Sequence, residues 1–465
     1  MIKLTLGEIA VAVSAQLIGD PDVIVSSTVE TDSRLITEGS LFFAKPGEET
    51  DGHLFVSKAL EAGAVAAVVE REVSEDLPLL IVKDSVVALG LLAKYVISKV
   101  RAQGNLKVVG VTGSNGKTTT KNMLREVLST LGETIAPEES YNNEVGAPYS
   151  MLRITEATKF LVVEMGAGGR GSIRYLAQLA QPDLAIELKV GLAHAGEFGG
   201  IENTELIKAE LVEEMTAEGK VLLNSDDERV LKMAQKTKAE VFTFGLGQES
   251  HYRATQVSVD ITGTSFIFNT PDGTSTPVHL QILGEHHVYN ALAALATGEL
   301  LGVDRVLAVR ALEKMKLAEK WRMELNVAAN GLTVINDAYN ASPDSMRAAL
   351  QTLAQLGRQS QKKTVVVLGE MAELGEYSAH EHDALGRMAV RLNLGQVVVV
   401  GRQAKLIHMG ASQEGSWDGE SKYFDEISDA LAYLREMLTG DEIVLVKSSK
   451  SANLRFLGDD LLKEI

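Results

Sequence analysis

Two textures of hydrophobic positions alternate along almost the whole of the 465-residue chain. Short unbroken apolar runs suit strands covered on both faces. Longer stretches with an apolar position every three or four residues suit amphipathic helices. In residues 1–104, runs at 41–44, 66–69 and 79–82 alternate with helical stretches at 53–62 and 86–100, which predicts a small α/β unit. From 105 to 322, strands are expected near 106–111, 133–136, 159–163, 183–188, 219–223 and 240–244, with helices in the gaps. Such alternation predicts a mostly parallel sheet wrapped on both faces. The texture changes at 252–282, where VSVDI, TSFIFNT and STPVHLQI flank a Pro-Asp-Gly turn at 271–273. That period of two predicts antiparallel strands added to the sheet. Helices at 287–301 and 304–316 follow. From 323 to 465, strands near 333–336, 364–368, 396–400 and 442–446 alternate with helices starting near Pro343, His380, Ala404 and Glu426. This is a doubly wound unit of Rossmann type. The expectation is an α/β protein of three domains, 1–104, 105–322 and 323–465, joined by short hinges.

Composition narrows the class. A hydrophobic content of 45% with 23% charge is ordinary for a globular protein in water. No run approaches the roughly 18 apolar residues of a membrane span. The start, MIKLTLGEIAVAV, lacks the long apolar core and cleavage site of a secretion signal. A net charge of −18 argues against a nucleic-acid partner, which calls for a basic surface. The chain has no cysteine, which excludes disulfides and cysteine metal sites and fits a cytoplasmic location.

Candidate chemistry concentrates where the 106–111 strand runs into Thr112-Gly113-Ser114-Asn115-Gly116-Lys117-Thr118-Thr119 and then a helix. Glycines between strand and helix let backbone N–H groups crowd an anion, and the helix N-terminus adds positive character. Lys117 supplies a full charge for β- and γ-phosphates, and Thr118 a hydroxyl for magnesium. The strict nucleotide-loop pattern places glycine where Val111 stands. Nucleoside triphosphate binding is nevertheless the reading. Glu164 ends the next strand and reads as a magnesium ligand or as a plain strand-end acid. His194, in the GLAHAGEFGG loop, reads as a metal or acid–base group or as an ordinary loop histidine. Lys208 lies at the margin of an apolar helix stripe formed with Leu206, Ile207, Leu211 and Val212, where spacing alone makes it a snorkelling lysine. Asn290 has the donors and acceptor to read a base. Arg322 is a candidate phosphate clamp, and Asp337 could orient it or hold a ribose hydroxyl. Ser342-Pro343 has the form of a helix N-cap and first-turn pair. The polar loops TDSR and GEETDGH suit either a ligand or a turn.

Taken in order, TDSR, GEETDGH, TGSNGKTTTK, YNNEVGAPYSMLR, VVEMGA, GLAHAGEFGG, HHVYNALAA, WRMEL, NDAYNASPDSM and LGEMAELGE resemble the Mur ligases over essentially the whole chain. These are ATP-dependent enzymes that add amino acids to the bacterial cell-wall precursor. YNN with VGAP, and DAYNASPDSM, favour the dipeptide-adding branch. The resemblance implies ATP and Mg2+ as cofactors, with UDP-N-acetylmuramoyl-tripeptide and D-alanyl-D-alanine as substrates of a monomeric, cytoplasmic enzyme. It implies that Lys117 cradles the phosphates, that Thr118 and Glu164 serve one magnesium and His194 a second, and that Asn290 reads adenine. Arg322 and Asp337 would reach the nucleotide from the hinge side. Ser33 and Arg34 would face the uridine, and Asn142 and Asn143 the muramoyl-peptide path. The lysine of IKAEL, Lys208, stands where related ligases carry a carbamylated lysine that serves the metal. Two departures stand out. Lys189 replaces an asparagine common in the family, and VKSSKSANL replaces a VKGSR stretch, so Lys189, Ser448 and Lys450 are assigned no role. Competing readings are a sister ligase of single amino acids or of folate glutamyl units, and a nucleotide switch. A guanine-nucleotide switch calls for an Asn-Lys-x-Asp motif, which the chain lacks.

Overall fold

The computed structural model describes residues 1–463 apart from 48, 49, 75, 138, 194, 317–319, 416 and 418. Three large sheets follow one another along the chain. The first has five strands in the spatial order Gln16–Ile18, Leu79–Ile81, Ala64–Val69, Ser40–Phe43 and Val29–Glu30, parallel except for the first pair.

The second sheet has nine strands. Its centre is Lys107–Thr112, flanked on one side by Phe160–Glu164 and on the other by Leu184–Glu187, all parallel. The strand before the glycine loop thus lies where the winding reverses, the place where such sheets open a crevice beyond their carboxyl ends. Its apolar run is continuous because both faces are covered. Val108 enters one core, and Val109 and Val111 enter the other. The sheet continues through Lys220–Asn224 and Glu240–Gly245 to Tyr252–Asp260. Tyr252–Asp260 pairs parallel to its predecessor, and the antiparallel addition expected from the sequence begins only at its pairing with Gly263–Asn269 and ends with Ser275–Leu280.

The third sheet has six strands, with Glu442–Lys447 inserted between Thr333–Asn336 and Lys363–Leu368. Alternate residues again serve two cores, Val366 and Leu368 on one face, Val365 and Val367 on the other.

The first two sheets are not separately packed bodies. Helix Ser85–Arg101, capped by the Asp84 carboxylate on Val86 and Val87 N–H, contributes Leu89, Leu92, Val96 and Ile97 to a core that also holds Met151, Leu176 and Leu179 of the following region. Among the described residues no helix is long and apolar enough to cross a membrane.

Candidate active site

The carboxyl ends of the second and third sheets face one another across a cavity of about 260 Å³. One wall is the glycine loop from Ser114 to Thr119 with Asn142 and Glu164. The other is Arg322, Asp337, Tyr339 and Lys447, and His286, His287 and Asn290 line it as well.

The loop geometry explains its glycines. Gly116 has φ +85° at the N-cap of the Lys117–Ser129 helix, and a Cβ there would stand 2.5 Å from Asn290 Oδ1. Gly113 has φ +149°, and a Cβ there would stand 2.9 Å from Leu188 Cβ. Lys117 folds back so that Nζ donates to the Gly113 carbonyl at 2.7 Å. Burial pushes its pKa down, against the pull of Glu164 and Glu187. Thr112 is fully buried; its hydroxyl donates to the Met165 carbonyl at 2.7 Å and accepts from Lys208 Nζ at 3.4 Å. It frames the loop rather than lining the cavity.

Glu164 is fully buried. Its Oε1 accepts from Thr118 Oγ1 at 3.3 Å and from Asn142 Nδ2 at 2.8 Å, while Oε2 has no hydrogen-bond partner among the described residues. A hydroxyl beside an orphaned carboxylate oxygen, facing a phosphate loop, suits a hard cation such as Mg2+. The expected second ligand, His194, lies outside the described residues, among which there is no cluster of three metal-ligating side chains.

The margin position expected for Lys208 is corrected. On helix Ile201–Glu213, Leu206 faces solvent and Lys208 turns inward with Ile207, Leu211 and Val212, leaving it only 4% exposed. Burial and then Lys117 push its amine pKa down. Sequence reasoning missed its neighbour in charge, Glu187. The sheet register sets Glu187 beside Thr112, it is fully buried, and neither carboxylate oxygen has a hydrogen-bond partner among the described residues. Burial pushes its carboxyl pKa up, and Lys208 opposes that rise most. The available signal was one acid inside an otherwise apolar buried strand.

On the opposite wall, Trp321 and Met323 both have positive φ, +63° and +53°, and present Arg322 between them. Such left-handed backbone in bulky residues persists only where the surroundings hold it. The Arg322 guanidinium lies 4.2 Å from the Tyr339 ring centroid. Asp337 takes the Met323 N–H on one oxygen at 3.0 Å and Lys447 Nζ on the other at 2.5 Å. Asp337 therefore ties the hinge to the buried Lys447, a second residue the sequence reading passed over because it merely ends an apolar run.

The remaining expected residues divide. Asn290 stands between this cavity and a neighbouring one of about 230 Å³ lined by Leu188, Asn224, Asp226 and Tyr289. Its amide is already engaged, Oδ1 with Thr120 Oγ1 at 3.2 Å and Nδ2 with His287 at 3.3 Å. Asn142 reaches the cavity, but the Asn143 side chain turns to the start of the Gly146–Met151 helix, where its Oδ1 accepts the Gly146 N–H at 2.8 Å. Ser33 and Arg34 sit in a short turn away from the cavity, with Arg34 paired to Asp32 and largely exposed. Lys189 pairs with Asp344. Ser448 is buried on the Ser449 carbonyl, and Lys450 lies over the Tyr339 ring. Ser342 and Pro343 do open a helix as N-cap and first residue.

Comparison with known proteins agrees with this geometry. Family patterns described as Mur ligase family, catalytic domain, Mur ligase middle domain, and Mur ligase, glutamate ligase domain match residues 26–129, 111–298 and 321–450. A UDP-N-acetylmuramoyl-tripeptide–D-alanyl-D-alanine ligase of Mycobacterium leprae is 38% identical, covering 99% of this chain and 99% of its own. A crystal structure of MurF from Acinetobacter baumannii superposes with a TM-score of 0.90 at 32% identity over 99% of both chains. MurF from Thermotoga maritima, solved in complex with ADP, gives 0.80 at 27% identity, covering 94% of this chain and 97% of its own. The chain belongs to the Mur ligase family.

Proposed function

We propose that the chain joins D-alanyl-D-alanine to UDP-N-acetylmuramoyl-tripeptide at the expense of ATP, forming an amide and releasing ADP and phosphate. The observation that carries this reading is the single cavity in which the phosphate loop of one unit faces Arg322 and Lys447 of another. The full-length likeness to ligases bearing that name supports the choice of substrates. The substrate carboxylate attacks the γ-phosphorus, giving an acyl phosphate and ADP. The dipeptide amine then attacks the acyl carbon, the acyl–phosphate bond breaks, and phosphate leaves carrying the amine proton as hydrogen phosphate. Lys117 and Arg322 offset negative charge from opposite walls as the phosphoryl group moves. Thr118 and Glu164 would hold Mg2+, which when bound spreads the charge of the phosphates. Contact between the two walls excludes water from the acyl phosphate.

The first unit holds the uridine diphosphate end, with Ser33 and Arg34 on that side, and Asn142 and Asn143 flank the peptide path. The adenine lies in the smaller cavity beside Asn290. The enzyme works as a cytoplasmic monomer. Phosphate release is the test: it should require the muramoyl tripeptide and D-alanyl-D-alanine together and fall to background when either is omitted. Release that ignores both would favour a plain nucleotidase, and preference for a single amino acid would favour a sister ligase.

A further inference from the structure

Lys189 sits where the phosphate loop meets the third unit. Its carbonyl accepts the Ser114 N–H at 2.7 Å, so its backbone belongs to the frame of the loop. Its side chain pairs with Asp344 Oδ1 at 3.1 Å, in the first turn of the Pro343–Ser360 helix. Two residues on, Gly191 leaves room for the Asp344 carboxylate, since a Cβ there would stand 2.4 Å from Asp344 Oδ2. Beside it, the N-cap hydroxyl of the same helix, Ser342 Oγ, bonds Asn115 Oδ1 of the loop at 2.9 Å. These contacts fasten one helix end of the third unit to one loop of the second.

We propose that Lys189 is a positioning residue that, acting through Asp344, clamps this helix onto the phosphate loop. A carboxylate in a first helical turn is favoured by the helix dipole. Lys189 thus holds the wall that carries Arg322 and Lys447 against the loop. The pair is partly exposed, with 43% and 26% of its side chains accessible, so its effect is modest and sensitive to salt.

The test uses Lys189→Ala, Asp344→Ala and the double variant, with Lys189→Arg as the charge-keeping control. The kinetic arm rests on the ligase reading. The second arm does not: it follows the distance between spin labels at Lys232→Cys and Arg358→Cys, unambiguous in a chain without cysteine, with and without a non-hydrolysable ATP analogue. Each single alanine variant should raise the KM for ATP about two- to fivefold with a smaller change in kcat. The double variant should be no worse than the poorer single one, the effect should fade in high salt, and Lys189→Arg should restore wild-type values. Shortening of the label distance by nucleotide should weaken in both single variants. Additive effects, a Lys189 effect that persists when residue 344 is already alanine, or label distances unchanged by the substitutions would overturn the clamp. A wild type that closes on nucleotide but does not ligate would instead overturn the ligase reading and leave the clamp standing.

Discussion

A lysine half-buried against the carbonyl of its own loop, as Lys117 is against Gly113, carries a desolvation cost, seen in its lowered pKa, that a bound phosphate offsets. Lys117→Ala should therefore lower turnover on the order of a thousandfold or more. The thermal midpoint should hold or rise, because a buried charge is lost with the side chain. Turnover within about tenfold of wild type would reject the assignment of the ATP site. Lys208 is the second case. Its lowered amine pKa favours the neutral form that carbamylation requires. A carbamate there would share a buried pocket with Glu187, and two anions would repel unless Glu187 were protonated, the direction in which burial drives it. Lys208→Arg should lose most of its rate, and 13C-bicarbonate should give a carbamate resonance in wild type that the variant lacks. Retained activity with no such resonance would remove Lys208 from the metal site. Of these residues, Lys117 and Glu164 were legible because strand, glycine loop and helix fix where each must point. The depth of Lys208 was not, since a helix stripe leaves its marginal positions undecided by about one residue in phase. Glu187 and Lys447 look like interruptions or ends of strands until their partners across the sheets are known.

At the scale of elements, sequence pattern located the central strands well because each is buried on both faces. The Pro-Asp-Gly turn likewise falls between Gly263–Asn269 and Ser275–Leu280 as expected. Edge elements escaped it. Glu324–Val327 and Glu420–Phe424 are short and half-exposed, so their residues carry no clear period of two. The short Leu6–Val13 helix near the start, held by a Thr5–Glu8 capping box, was missed for want of length. What sequence gives least is the closeness of approach between elements. Helix His286–Leu300 packs its alanines with Met123, Leu124 and Val127 of the loop helix, and a Cβ at Gly298 would stand 2.8 Å from Val127 Cγ1. Gly298→Leu should force the two helices apart, costing about 1–3 kcal/mol of stability. It should also weaken nucleotide binding, since the loop helix carries Lys117 and Thr118 at its start. A melt paired with nucleotide titration checks both, and an unchanged melting temperature would mean that the interface yields without strain.

For the whole molecule, the third unit meets the phosphate loop through polar, local contacts, Lys189 with Asp344 and Ser342 with Asn115, and meets the antiparallel edge of the second sheet through Val259 and Leu283, which enter its core. Polar contacts of this kind open and close readily. Small-angle scattering should show a larger radius of gyration without ligands than with an ATP analogue and the muramoyl tripeptide, and equal values at saturation would argue against closure. The first unit belongs to a different mechanical class. Helix Ser85–Arg101 shares its core with the second unit, so separating those two would expose Leu92, Val96, Leu176 and their neighbours to water. The polar contacts at the loop are therefore the ones expected to part on opening, while the first two units stay joined by their common core. A shared core that keeps the piece proposed to grip the sugar nucleotide fixed relative to the phosphate loop would set the acyl end of the substrate at one reach from ATP. Such a joint would act as a ruler for the peptide it extends: precursors one residue shorter or longer should turn over poorly, and equal turnover of all three lengths would show that the joint yields.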